Sequence, residues 1–170
     1  MKIKLILLAG CLGYGIWFAA VGGKRITQEH VAAIYHEYAS AYDRGDGKAV
    51  CDLFSDGVHG KFSSTARSMP VNEVVTKASV CSSVDDFYRS KAVLEEQVGH
   101  ELFTNIEYTI KSISIAPDEK SATAEVLMEF RIGTEQGSLL DMRSTQVDVI
   151  KRNFGKTRFT QSDGSVSFYR

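Results

Sequence analysis

The chain has 170 residues, room for one domain plus a targeting segment, and sets 20 Lys and Arg against 21 Asp and Glu. Without a block of like charge it carries no electrostatic footprint for a nucleic acid. Two prolines and the lack of any low-complexity tract exclude a disordered chain, and a domain of this size buries roughly two thirds of its unfolded surface, so it needs no metal or cofactor to fold.

Met1-Lys2-Ile3-Lys4 is a short basic start, residues 5–23 run without a charge, and Lys24-Arg25 closes the run. At ~1.5 Å rise per residue a helix of that length spans about 28 Å, the hydrocarbon thickness of a bilayer. Residues 1–25 therefore read as a membrane anchor or signal segment and residues 26–170 as the domain. Three forms stay open. An uncleaved anchor places Trp17 and Phe18 in an interfacial belt, and a cleaved signal peptide ends at Ala20-Val21-Gly22. A lipoprotein uses Cys11 in Leu8-Ala9-Gly10-Cys11, although the apolar run before it is short for a signal. The flanking charges nearly tie, so they set no orientation. Cys51 and Cys81, the only cysteines of the domain, read as a disulfide of an exported protein, with two buried thiols as the alternative. The expected location is the periplasmic side of a bacterial inner membrane; secretion to the periplasm after cleavage, or a lipid anchor at Cys11, are the alternatives.

Thr27 caps a helix whose apolar positions Val31, Ile34, Tyr35, Tyr38, Ala41 and Tyr42 recur at three-four spacing and end near Arg44-Gly45. Asp46 caps a second, short helix with Ala49, Val50, Leu53 and Phe54 on its apolar face, and Ser55-Asp56-Gly57 stops it. Residues 58–63 read as a short strand. Pro70 suits a helix start, and Val71, Val74, Val75, Ala78, Cys81, Val84, Phe87, Tyr88 and Val93 sketch a long or broken third helix. After Gly99 the period changes to two. Ile106, Tyr108 and Ile110 alternate before the phase slips to Ile113 and Ile115, which predicts a β-bulge. Pro117-Asp118-Glu119-Lys120 is a turn, and residues 122–132 alternate without a break. Residues 133–137 turn, a strand follows over 139–151, Asn153-Phe154-Gly155-Lys156 turns again, and a last strand over 157–168 is interrupted by Ser162-Asp163-Gly164. Helices first and an antiparallel meander afterwards is the α+β pattern, with the helices packed on one face of a curved antiparallel sheet that forms a cup.

That order, together with residues 30–54, resembles the cone-shaped, cystatin-like fold of the nuclear transport factor two-like superfamily, which includes the ketosteroid isomerase-like and SnoaL-like proteins. The matching residues are Tyr38, Gly45-Asp46 and Leu53-Phe54, at the intervals found in the isomerase's opening helix pair. The resemblance covers about 25 residues and speaks for fold. Tested residue by residue, the isomerase mechanism needs a carboxylate base and an oxyanion hole made by a tyrosine and a protonated acid. Tyr38 falls on the tyrosine position, the base position falls on Phe62, and the second donor falls near residues 145–147, where there is no acid and Gln146 could donate a hydrogen bond.

Tyr35, Tyr38 and Tyr42 form a stripe that reads as cup lining, and with His59 and Phe62 they are the candidate ligand-pocket residues. His30, His36, His59 and His100 show no metal spacing. Ser63-Ser64-Thr65 lacks a nucleophile elbow, and Gly155-Lys156-Thr157 is a hairpin turn without the earlier glycine of a phosphate loop. The expectation is a non-catalytic domain that binds a small apolar ligand in its cup or a partner protein on its sheet. The alternative is an isomerase or lyase with Tyr38 as donor and His59 as base. The expected partners are the membrane, through residues 5–23, and a second copy or a membrane-complex protein across the open sheet face near Leu127.

Overall fold

The computed structural model describes residues 23–64, 71–134 and 137–169. The greater part of the apolar run over 5–23, with Cys11, Trp17, Phe18 and the cleavage site expected at 20–22, lies outside the described residues. So do Thr65 and Pro70. Among the described residues no helix is long and apolar enough to cross a membrane.

Two helices open the domain: α1, Gln28–Asp43, and α2, Gly47–Asp52. Thr27 and His30 form a reciprocal capping box that satisfies two of the free N–H groups of α1. Asp46 caps α2 by accepting from Ala49 N at 2.9 Å. Strands β1, Phe54–Ser64, and β2, Val71–Val75, follow, then the 22-residue helix α3, Lys77–Val98. Four long strands complete the chain: β3, Phe103–Ile115; β4, Ser121–Thr134; β5, Gly137–Asn153; and β6, Lys156–Tyr169. All six strands form one sheet in the order β2-β1-β6-β5-β4-β3, an α+β arrangement with helices packed on a curved sheet.

Three expectations are corrected here. The sheet is mixed, because β1 runs parallel to β6 while the other neighbours are antiparallel. The third helix does not begin at residue 70. Val71, Val74 and Val75 are β-branched and pair with β1, Val75 opposite Gly60 and Val71 opposite Ser64. The helix starts only where Thr76 and Ser79 build a new capping box. Ser162-Asp163-Gly164 does not interrupt the last strand either, since all three pair with β5, and a ladder paired along its length tolerates turn-prone residues. The predicted bulge is present, with the β3–β4 register slipping between Ile110 and Ser112.

The core lies between α1 and the sheet. Val31, Ile34, Tyr35 and Ala41 of α1 meet Ala122, Ala124, Val126, Ile150 and Phe159. Helix α3 is held differently. Of its residues only Val84 is buried, and Cys81 is bonded to Cys51 of α2 with Cα atoms 5.2 Å apart.

The β5–β6 hairpin turns on Phe154 at φ 48° and Gly155 at φ 78°. This two-residue geometry suits Asn-Gly and costs a bulky residue about 1 kcal/mol. Phe154 is 64% exposed, so packing returns little. Phe154→Asn is expected to stabilise the domain by about 1 kcal/mol, read as a higher urea midpoint at unchanged slope.

Candidate ligand-binding site

Two adjoining chambers open between the helices and the sheet. The first has a cavity volume of about 190 Å³ behind an open mouth, below the roughly 300–1,000 Å³ of drug-sized sites and suited to a small molecule. Its walls come from Tyr35, Tyr38 and Tyr42 of α1, Phe54 and Phe62 of β1, Val80 and Val84 of α3, and Phe159 of β6. The second shares Tyr38, Tyr42, Phe62, Met128 and Gln146 with it and extends past Phe87, Phe130 and Met142. One helical turn separates Tyr35 from Tyr38, and a further turn separates Tyr38 from Tyr42, so α1 lays the three rings side by side along one face. Gly47 lets α2 and α3 close over this wall, since a Cβ there would sit 3.1 Å from Val84.

The floor is polar. Asp148 of β5 has no exposed surface. Its Oδ2 accepts from Tyr35 Oη at 2.6 Å and from Gln146 Nε2 at 2.8 Å, and its Oδ1 accepts from Ser162 Oγ at 2.5 Å. Strand pairing builds this cluster by setting Asp148 opposite Ser162 and Gln146 opposite Gly164. Gly164 is required there, because a Cβ would come within 2.9 Å of both Gln146 Cβ and Phe62 Cε1. Burial pushes the Asp148 carboxyl up, against the three hydrogen bonds that favour its charge. Burial is also the largest cause raising the Tyr35 phenol, followed by the charge of Asp148. Tyr38 is held well above its ordinary value by burial and then by Tyr42, with which it shares a hydrogen bond. Tyr88, which donates to the Tyr42 carbonyl at 3.1 Å, is pushed up to about 12 by burial.

The Asp148 shift has a signed consequence. A carboxyl raised on folding keeps its proton longer in the native state than in the unfolded chain. Its contribution to stability is therefore full below the unfolded pKa of about 3.9 and is lost as pH rises through the folded value. Asp148→Asn, which cannot ionise, is expected to gain on the wild type between pH 4 and pH 8. Urea midpoints of both proteins at the two pH values check this, and a difference independent of pH would refute it.

No family model and no curated protein matches this sequence, but solved structures do. A ketosteroid isomerase-like protein from Erwinia carotovora atroseptica is 13% identical, covering 82% of this chain and 93% of its own, with a TM-score of 0.52. An NTF2-like protein from Cytophaga hutchinsonii is 12% identical over 82% of this chain and 98% of its own, TM-score 0.55. Aln2 from a Streptomyces species is 12% identical over 81% and 88%, TM-score 0.58.

The fold is nuclear transport factor two-like.

Identities this low carry the fold and leave the chemistry to the site. In this nuclear transport factor two-like cup Tyr35, Tyr38, Tyr42 and Phe62 all line the cavity. His59 does not. Val58 is buried and Phe62 turns inward, so the period of two along β1 turns His59 outward, exposed, with Nδ1 3.4 Å from the Gly57 carbonyl. The expected second-donor position lies near residues 145–147, and the buried acid of the floor, Asp148, stands one residue beyond it. A strand puts alternate residues on one face, so Gln146, Asp148 and the buried Ile150 share the cup side of β5. An aspartate in phase with Ile150, between Val147 and Val149, was the signal in the sequence. It is also Tyr35, not Tyr38, that reaches this acid. Among the described residues no three His, Cys, Asp or Glu side chains group as metal ligands.

Proposed function

We propose that this domain is a ligand-binding cup without catalytic machinery, taking a small, largely apolar molecule. The observation that carries this reading is the pair of aromatic chambers in which the base position is Phe62, a side chain unable to accept a proton, while His59 faces away. An isomerase or lyase with His59 as base requires that ring and Tyr38 to share a cavity, and they do not. A neutral naphthalene dye whose emission rises in apolar surroundings tests the reading. It is expected to bind the full chain one to one, and Val80→Trp, which fills the mouth, is expected to weaken it at least ~10-fold. Equal affinity in both proteins would sink the proposal.

The apolar run over 5–23 and the Cys51–Cys81 bond support a cup held at, or released from, the periplasmic side of a bacterial inner membrane. Non-reducing mass spectrometry of the mature protein tests that address: a leader intact, cut near Gly22 or lipidated at Cys11 supports it, and free thiols in vivo refute it. On the outer sheet face Leu127 is half-buried and Val147 is 42% exposed, the surface proposed for a second copy or a partner.

A further inference from the structure

Asp148 is a buried acid whose partners are all neutral. Tyr35, Gln146 and Ser162 donate to it, and no ion pair to it is formed among the described residues. A buried charge without a counter-ion is expensive and survives where something compensates it. The donor set favours the ionised form. The Gln146 amide nitrogen can only donate, and with Tyr35 and Ser162 it fills three acceptor sites of a carboxylate. The walls point the same way. Among the described residues neither chamber is lined by a Lys, Arg or His, whereas six aromatic rings surround the first chamber and Glu73 stands at its mouth. Asp148 at the floor, the aromatic faces of the walls and Glu73 at the mouth favour a cation, since aromatic faces attract cations within about 6 Å.

On the reading that the cup binds a ligand, we propose that its ligand is an organic cation: an amine or quaternary ammonium group seated among the tyrosines against Asp148, with an apolar body toward Met128 and Phe130. The ammonium would supply the counter-charge that the chain does not. Displacement of the neutral dye from the full chain by benzyltrimethylammonium and by its uncharged isostere neopentylbenzene tests this. The cation is expected to bind at least ~10-fold more tightly, and Asp148→Asn to bring the ratio of the two affinities toward one. Equal or weaker binding of the cation by the wild type, whatever the variant does, overturns the cation proposal and leaves the cup standing. Binding of neither, or of no dye, overturns both.

A separate observation concerns the end of the domain where the leader joins. Gly155 N donates to the Gly23 carbonyl at 2.8 Å and Ile26 N to the Glu119 carbonyl at 2.7 Å. The leader's exit and the tips of the β3–β4 and β5–β6 hairpins therefore lie together. Phe154 projects there into solvent from a turn its side chain disfavours. Lys24, Arg25, Lys120, Lys151, Arg152 and Lys156 share that end with Glu29, Asp118 and Glu119 among the described residues, and Glu119 is paired with Arg25. An apolar ring in a basic collar suits an anionic bilayer surface. The geometry points to this end resting on the membrane, with Phe154 in the headgroup region. Phe154→Trp in a Trp17→Phe background gives the chain a single indole. In phosphatidylglycerol vesicles its emission is expected to shift to the blue and to be quenched by lipids brominated near the headgroup. An unquenched, water-like emission in a chain that sediments with the vesicles overturns this proposal. A chain that does not sediment overturns the membrane reading with it.

Discussion

Alanine at Gly60 is expected to cost the domain about 3 kcal/mol or more, while alanine at Gly57, three residues earlier on the same strand, is expected to change stability by less than about 0.5 kcal/mol. A Cβ on Gly60 would lie 1.8 Å from the Ser162 carbonyl oxygen and 2.6 Å from its carbon, whereas one on Gly57 would meet nothing within 4 Å. The obstacle is backbone, so no rotamer change relieves it; β1 must move off β6. That seam is parallel and already irregular between Phe54 and His59. It carries Phe54 and Phe62 into the cup and holds Ser162 against Asp148, so the variant should lose dye binding together with stability. Urea unfolding of both variants decides it, and two equal midpoints would show that the approach of β1 to β6 is not as close as described.

Reduction of the Cys51–Cys81 bond, or joint replacement of both cysteines by alanine, is expected to lower stability by about 3 to 4 kcal/mol, the chain-entropy value for a sequence separation of 30 residues. For a domain of this size that is a fall of roughly 10 °C in melting temperature. The loss should fall most heavily on α3. Beyond the burial of Val84, this helix is tied to the rest by the disulfide, by Tyr88 donating to the Tyr42 carbonyl, by Lys77 pairing with Asp56 at 2.6 Å, by the Phe87 ring against Tyr42 and Phe130, and by Glu95 accepting from Leu102 N. Because Val80 and Val84 wall the first chamber, ligand affinity should fall in parallel. Amide exchange in the reduced protein is expected to speed up across α3 before the β4–β5 strands. Exchange that rises uniformly along the chain, or an unchanged melting temperature, would refute this assignment of the bond.

Local signals were legible where residue type and period agree. Thr27 and Asp46 as caps, the tyrosine stripe of α1, the unbroken alternation of β4 and the bulge of β3 follow from hydrogen bonding and side-chain period within a few residues. Where propensity and pairing competed, reading along the chain failed. The valines after Pro70 fit a helical period as well as a strand, and only the free edge of β1 decided between them. Ser162-Asp163-Gly164 looks like a turn until β5 supplies partners for it.

The site divides in the same way. By itself the sequence determined the class of the fold, the charge-free run over 5–23, the tyrosine stripe and a phenylalanine, unable to accept a proton, at position 62, because each depends on residue identity at a local spacing. Only the tertiary structure decided that Asp148 is the buried acid, that Tyr35 is the phenol that reaches it and that His59 faces water. These depend on the parity of two strands and on their register across the sheet. A one-residue difference in that register exchanges the faces of a strand, and no pattern within a single segment records which register the sheet adopts.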